Sequence, residues 1–262
     1  MKLATQDHDS FGKTFKEKLA NVQAAGFEGL ELDGQVLINH FDEIKSAVKA
    51  LGVPISSTCG GYRGWIGDFD EENRRNAIED IKEIMKYTAE IGAEGVVVPA
   101  AWGMFSKRLP PLTPPRSEEE DREVLLDSLY QLNQGANEYG GKLLLEPLNR
   151  YEDYMINRLS DAVSLIEEGN FANVRVIADF FHMNIEEAEI GESLRNAKDF
   201  IGHIHLADSS RHQPGTGHLD FNPGFEALRE IGYDKYMALE CRIIGNPSEA
   251  YPEAVRYLKG FM

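Results

Sequence analysis

The chain has 262 residues, of which 42% are hydrophobic and 27% charged, the composition of an ordinary globular protein with a large core. Its formal net charge of −17 disfavours a nucleic-acid partner, because a polyanion is repelled at long range. We expect no membrane association, since no hydrophobic run reaches the roughly 20 residues of a membrane span. The polar start of the chain lacks a signal-peptide core and only two cysteines are present, so we expect a cytoplasmic location.

Short hydrophobic runs alternate with segments of helical periodicity along the whole chain. The predicted strands are Lys2–Gln6, Glu28–Leu32, Pro54–Thr58, Gly95–Pro99, Lys142–Glu146, Val174–Asp179, Gly202–Leu206 and Met237–Glu240. The predicted helices are Phe11–Ala25, Phe41–Leu51, Arg74–Ile91, Ser117–Tyr139, Ser160–Glu168, Ile185–Asn196, Pro223–Ile231 and Ser248–Phe261. Repeated strand–helix units with nearly continuous hydrophobic strands predict a parallel sheet covered by helices.

Eight such units in 262 residues predict closure into a (β/α)8 barrel, a TIM barrel, as a single α/β domain over residues 1–262. The alternative is an open doubly wound sheet, which fits less well because no Gly-x-Gly-x-x-Gly motif follows the first strand. The proline-rich loop at residues 107–116 follows the fourth strand, so we expect it to be stiff and to lie at the catalytic end.

Four of the later strands have a residue that can bind a metal ion at their last or next-to-last position: Glu146, Asp179, His205 and Glu240. Any one of them, taken alone, is more often a helix cap or a satisfied core residue. All four at the same end of one barrel predict a common site, because the carboxyl ends of parallel strands meet there. Three carboxylates and one imidazole suit Mn²⁺, Co²⁺ or Mg²⁺ better than a metal that prefers thiolates.

A second set of polar residues follows these strand ends: Glu152, His182 and Arg211 lie three or six residues further along. Their places in the loops above the strands would let them contact a polar substrate. Surface salt bridges are the competing interpretation for Glu152 and Arg211. His203 shares a face with His205 and is interpreted as a core or supporting residue. Four aromatic residues in the loops after the strands could either line a pocket or pack in the core, and the sequence favours neither role: Trp65, Trp102, Phe105 and Phe181.

The stretch Glu146–Glu152 resembles the Glu-x-x-Asn-Arg-aromatic-Glu motif of the ketose 3-epimerases, the D-tagatose and D-psicose 3-epimerase group. This group lies within the sugar phosphate isomerase/epimerase family of xylose isomerase-like barrels. Asp179–His182 resembles its Asp-x-x-His motif. The stretch from His205 to Phe221 resembles its His, Arg and Gly-x-Gly-His-x-Asp-aromatic sequence. These motifs lie in the C-terminal half, and the N-terminal half is similar in pattern only.

The resemblance implies a role for each polar residue singled out above. The metal ligands would be Glu146, Asp179, His205 and Glu240, the acid/base pair Glu146 and Glu240, and the substrate contacts Glu152, His182 and Arg211. It implies a metal-dependent isomerase that inverts C3 of a free or phosphorylated ketose through an enediolate. We expect one divalent ion, with Mn²⁺ preferred and Co²⁺, Mg²⁺ or Zn²⁺ as alternatives. The partner would be a small sugar or sugar phosphate, and a homo-oligomer is compatible with the sequence.

Other functions stay open at this point. A hydroxypyruvate-isomerase-like aldose–ketose isomerase or an inosose dehydratase or isomerase would use a similar metal site. An endonuclease-IV-like enzyme would need extra histidines on the third and fourth strands, which have none. A catalytically inactive sugar-binding barrel would be expected to lack one carboxylate of the pair, and both are present.

Overall fold

The computed structural model describes residues 1–105 and 113–262. Eight parallel strands close into a barrel in chain order, and the first strand pairs with both the second and the eighth. The strands are β1 (Lys2–Gln6), β2 (Gly29–Leu32), β3 (Ile55–Cys59), β4 (Val96–Pro99), β5 (Leu143–Glu146), β6 (Val174–Asp179), β7 (Ile201–Leu206) and β8 (Tyr236–Leu239). The predicted (β/α)8 barrel is confirmed.

Helices cover the outside of the barrel between successive strands. They are α1 (Phe15–Ala24), α2 (Gly34–Asn39), α3 (Phe41–Leu51), α4 (Glu71–Ile91), α5 (Glu118–Tyr139), α6 (Leu159–Gly169), α7 (Phe180–Glu186), α8 (Ile190–Asn196), α9 (Asn222–Glu230) and α10 (Pro247–Lys259). Within the described ranges, no helix is long and hydrophobic enough to cross a membrane.

The largest differences from the sequence-based prediction concern three helical segments. The predicted helix 185–196 is wrong as one element, because Glu187 is extended and separates α7 from α8. The first helix begins at Phe15 rather than Phe11, since Thr14 and Glu17 form a capping box at that point. The short helix α2 was not predicted; Asp33 caps it, but six residues are too few to establish a helical period.

The strands separate two hydrophobic regions. The larger lies between the barrel and its helices and includes Leu143 and Leu145. The smaller lies inside the barrel and consists of Val97, Leu144 and Ile177, with Cys59 packed against it. The predicted inward direction of Leu144 is therefore confirmed, and side-chain alternation places Glu146 on the same inner face.

The proline-rich loop after β4 is described only in part. Residues 107–112 lie outside the described residues, so the prediction for this loop stays open. Arg116 lies at the end of this loop, and its Nε is 2.7 Å from Oδ1 of Asp121 in α5. Its guanidinium also donates hydrogen bonds to the backbone carbonyls of Gly67 and Asp68.

Candidate active site

The barrel brings Glu146, Asp179, His205 and Glu240 together at the carboxyl ends of β5 to β8. One ligand atom from each lies within 4.8 Å of those of the others. Nδ1 of His205 is 2.9 Å from Oε2 of Glu240, 3.4 Å from Oε1 of Glu146 and 3.9 Å from Oδ2 of Asp179. Four residues that span almost 100 positions of sequence thus form one buried cluster.

Strand register explains this convergence. Asp179 and His205 are direct partners on neighbouring strands β6 and β7. Glu240 follows β8 directly, and its backbone N–H donates to the carbonyl of Leu206 at the end of β7. Asp179 also caps α7, because its Oδ1 accepts from the backbone N–H groups of Phe181 and His182 at 2.7 and 3.2 Å. That cap leaves Oδ2 of Asp179 facing the cluster.

The cluster suits a divalent metal ion. Oε1 of Glu146 and Nδ1 of His205 are fully buried, and neither has a hydrogen-bond partner in the part of the chain that the structure describes. Buried polar atoms are nearly always satisfied, and a cation held between these two atoms would satisfy both. Carboxylate oxygens with one imidazole nitrogen are a donor set that borderline and hard divalent ions accept.

Arg211 also reaches this centre rather than the protein surface. Its Nη1 donates to Oδ2 of Asp179 at 2.9 Å, and its Nη2 donates to Oε2 of Glu240. The guanidinium lies over the ring of Phe181, 4.7 Å from the ring centroid. Arg211 has φ of 59°, a left-handed backbone that is unusual for a residue other than glycine. Such backbone strain is typical of functional sites.

Glu152 and His182 are joined by Asn149. The Asn149 side chain donates to Oε1 of Glu152 at 2.8 Å, and its backbone N–H donates to Nδ1 of His182 at 3.0 Å. Nε1 of Trp102 donates to Oε2 of Glu152 at 3.0 Å. The proposed substrate contacts therefore belong to one connected group, and Asn149 is the member whose linking role the sequence reasoning missed.

A cavity of about 640 Å³ opens above this group, within the usual range for a small-molecule site. Its walls include Trp102, Glu152, Phe181, Arg211 and Glu240. Of the four aromatic residues singled out from the sequence, Trp102 and Phe181 line this cavity. The other two pack near further aromatic rings. The ring centroids of Trp65 and Trp102 are 6.3 Å apart, and those of Phe105 and Tyr154 are 5.1 Å apart.

The two central glutamates differ in acidity. Burial raises the pKa of Glu146 to about 7. Burial also acts to raise the pKa of Glu240, but the charges of Arg211 and then His205 outweigh it and lower this pKa. Burial lowers the pKa of His182, which favours a neutral imidazole there. Two carboxyl groups with separated pKa values are what an acid/base pair requires.

Sequence reasoning missed one further acidic residue, Glu31 of β2. Its two carboxylate oxygens lie 3.0 and 3.1 Å from Nε2 of His205, on the side of the imidazole away from Glu240. His203 also contacts this carboxylate, at 3.2 Å, in agreement with the supporting role suggested for it. The available signal was a glutamate between Leu30 and Leu32 in a strand, where alternation directs it into the barrel.

Comparisons with known proteins agree with the barrel and show the family of the chain. The model of the xylose isomerase-like TIM barrel family matches residues 19–261. A 3-dehydro-D-guloside 4-epimerase of Escherichia coli K12 is 46% identical over 99% of both chains. The crystal structure of a 3-keto-D-glucoside 4-epimerase from E. coli, also 46% identical and covering 99% of both chains, has a TM-score of 0.96. A D-psicose 3-epimerase of Ruminiclostridium cellulolyticum is 28% identical over 90% of this chain and 80% of the relative.

Proposed function

Since the chain belongs to the xylose isomerase-like TIM barrel family, we propose that it inverts the carbon next to the ketone of a keto sugar. Its relatives are named as epimerases, which are isomerase-class enzymes. The prediction that the protein is an isomerase is confirmed. The relatives are named for different carbons, C4 of a 3-dehydro sugar and C3 of a ketose. In both cases the inverted carbon is adjacent to the ketone, so the same proton chemistry serves.

The favoured reaction is inversion of C4 in a 3-keto-glycoside. The support is the 46% identity over nearly the full length with a 4-epimerase of this kind. The motifs of the C-terminal half predicted inversion of C3 in a ketose, and the 28% identical D-psicose 3-epimerase keeps that reaction as the second candidate. Both candidates differ from the aldose–ketose isomerases in leaving the ketone where it is.

The observation that carries the proposal is the placing of two carboxylates around one point. Glu146 and Glu240 each approach Nδ1 of His205, at 3.4 and 2.9 Å, and their pKa values are shifted in opposite directions. Inversion requires that a proton leave one face of the carbon and that another arrive on the opposite face. In our proposal one glutamate takes the proton, the sugar becomes an enediolate, and the other glutamate protonates the opposite face.

Glu146, Asp179, His205 and Glu240 would together hold a divalent ion, with Mn²⁺ preferred. When bound, such an ion supplies positive charge that stabilises the enediolate oxygens. Arg211 would orient the substrate, because its guanidinium donates into the same centre from the cavity side. Glu152 would accept hydrogen bonds from sugar hydroxyls, and His182 would form a hydrogen bond with one of them, from the positions that Asn149 maintains.

Two arginines at this end of the barrel, Arg116 and Arg211, are already paired with carboxylates, which favours a neutral keto sugar over a sugar phosphate. The guanidinium of Arg116 is bound to Asp121, and that of Arg211 to Asp179 and Glu240. The sequence offers three further cations that could bind a phosphate: Lys107 and Arg108 lie outside the described residues, and Arg242 lines the cavity. The strongly negative net charge adds to the disadvantage of an anionic substrate.

The proposal is tested with purified protein and Mn²⁺ in D₂O, with deuterium followed by NMR. We expect deuterium at C4 of a methyl 3-keto-glycoside and the appearance of its C4 epimer. Deuterium at C3 of a free ketose, without reaction of the glycoside, would select the second candidate. Transfer of hydrogen between C1 and C2 of an aldose–ketose pair, with neither epimerisation, would contradict the proposal. Protein with both Glu146→Gln and Glu240→Gln serves as the control for uncatalysed exchange.

A further inference from the structure

We propose that Glu31 is a positioning residue whose carboxylate holds the imidazole of His205 with Nδ1 directed at the ion-binding carboxylates. This inference rests on the metal site of the proposed function. It adds a residue from β2 to a centre whose four proposed ligands all come from β5 to β8.

The geometry assigns different tasks to the two nitrogens of His205. Nε2 lies 3.0 and 3.1 Å from the two oxygens of Glu31, so an N–H at Nε2 donates to that carboxylate. Nδ1, on the opposite side of the ring, lies 2.9 Å from Glu240 and 3.4 Å from Glu146. A proton kept on Nε2 leaves the lone pair of neutral His205 on Nδ1, where an ion would need it.

Glu31 is itself held on three sides. It is fully buried, and its register partners on the flanking strands are Gln6 of β1 and Ser57 of β3. The side-chain amide of Gln6 donates to Oε1 at 3.0 Å, and the hydroxyl of Ser57 donates to Oε2 at 2.5 Å. Nε2 of His203 lies 3.2 Å from Oε2.

Burying a carboxylate is costly, so this one requires compensation. Gln6 and Ser57 supply it from strands that contribute no proposed metal ligand. Histidine ligands of metals usually donate their other N–H to a carboxylate or carbonyl, which fixes the ring orientation. The Glu31 cluster has that arrangement, whereas a polar core with only a packing role would not need both oxygens directed at one imidazole N–H.

The first test is the affinity for Mn²⁺ of wild-type protein and the Glu31→Gln variant, measured by electron paramagnetic resonance of free Mn²⁺ at neutral pH. Glutamine keeps the shape, but its amide can donate to Nε2 and move the proton of His205 to Nδ1. We expect Mn²⁺ binding about 10–100-fold weaker in the variant. Glu226→Gln, on the exposed side of α9, is the matched control: it makes the same chemical change away from the ligand cluster and should leave the Mn²⁺ affinity unchanged.

Equal Mn²⁺ affinity in wild-type protein and a folded Glu31→Gln variant would overturn the role of Glu31 while leaving the metal site intact. Wild-type protein that binds no divalent ion would instead overturn the metal site of the proposed function and this inference with it. The two failures are therefore distinguishable.

A second test does not depend on the variant folding. In wild-type protein loaded with diamagnetic Zn²⁺, ¹⁵N NMR of the histidine side chains should show His205 protonated at Nε2 and bound to the ion through Nδ1. Protonation at Nδ1 with Nε2 as the ligand would overturn the proposal, because Glu31 would then face a nitrogen without a proton.

Discussion

At the scale of single residues, burial and neighbouring charges give Glu146 and Glu240 pKa values shifted in opposite directions. Burial raises the pKa of Glu146 to about 7. Burial has the same tendency at Glu240, but Arg211, whose Nη2 contacts its carboxylate, reverses the shift. Near neutral pH the ion-free protein therefore has one carboxyl group that is partly protonated and one that is ionised.

Ion binding should consequently depend on pH. Below about pH 7 Glu146 binds a proton that an incoming ion must displace. Burial opposes a charge on His205, but Glu31 and then Glu240 outweigh it and raise its pKa, so a second proton also competes. We expect the Mn²⁺ dissociation constant to rise at least about tenfold from pH 7 to pH 6, measured by isothermal titration calorimetry. Glu146→Gln should make the dissociation constant depend less steeply on pH, because one competing proton is removed, and an equally steep dependence would contradict the raised pKa of Glu146.

Each glutamate of the pair should be required for turnover. Glu146→Gln and Glu240→Gln keep the side-chain shape but remove the group that accepts the proton, so we expect each to lower kcat by about 100-fold or more. In D₂O one variant should still exchange the proton of one epimer only, because one carboxylate remains on its own face. Glu226→Gln, on the exposed side of α9, is the control. Wild-type rates in both site variants would refute the two-carboxylate mechanism.

The left-handed backbone at Arg211 allows its side chain and its backbone to be tested separately. Arg211→Ala and Arg211→Gly both remove the guanidinium, and both should lower kcat/KM by about tenfold or more. At φ of 59° alanine is strained and glycine is not. The free energy of unfolding of the glycine variant should therefore be about 1 kcal/mol higher than that of the alanine variant. Urea unfolding measures this difference, and a more stable alanine variant would show that the strain is absent in solution.

At the scale of secondary-structure elements, α2 and α4 pack closely against each other beside the first strands of the barrel. Gly34 begins α2 and is buried, and a Cβ there would lie 2.5 to 2.7 Å from three side-chain carbons of Ile84 in α4. The missing side chain thus lets the two helices approach. Ile84 belongs to the hydrophobic region between the barrel and its helices, and neither Gly34 nor Ile84 belongs to the ligand cluster.

Gly34→Ala should therefore destabilise the fold by about 1–3 kcal/mol without changing ion affinity, because the added methyl group overpacks the contact. Urea unfolding of this variant, of Ile84→Ala and of the double variant forms a thermodynamic cycle. We expect the double variant to lose less stability than the two single losses added together, by about 1 kcal/mol. Simple additivity would show that the helices move apart freely.

At the scale of the whole molecule, the proposed ion would link four consecutive strands at one end of the barrel. A ligand that binds only the folded state stabilises it, so Mn²⁺ at 100 times its dissociation constant should raise the free energy of unfolding by about 2.7 kcal/mol. Chemical unfolding of metal-free protein with and without Mn²⁺ measures this gain. His205→Ala should lose most of it, and the absence of any gain with every divalent ion would count against the metal site.

The barrel was predictable because its signals are local. Hydrophobic runs such as Val174–Asp179 and the helical period of Phe41–Leu51 lie within single elements, and both bounds agree with the structure. Helix α7 was not predictable in the same way, because it begins at Phe180, directly after Asp179, which caps it while also facing the ligand cluster. Local periodicity does not show that one residue serves both purposes.

By itself, the sequence determined the closed parallel barrel and the candidate residues at its strand ends, because strand length, alternation and turn positions are encoded within short segments. Only the tertiary structure decided which of those residues meet. Glu31 and His205 are 174 positions apart, yet share hydrogen bonds at 3.0 and 3.1 Å. Such a contact depends on barrel closure and strand register, since β2 and β7 face each other across the interior only when β1 pairs with β8.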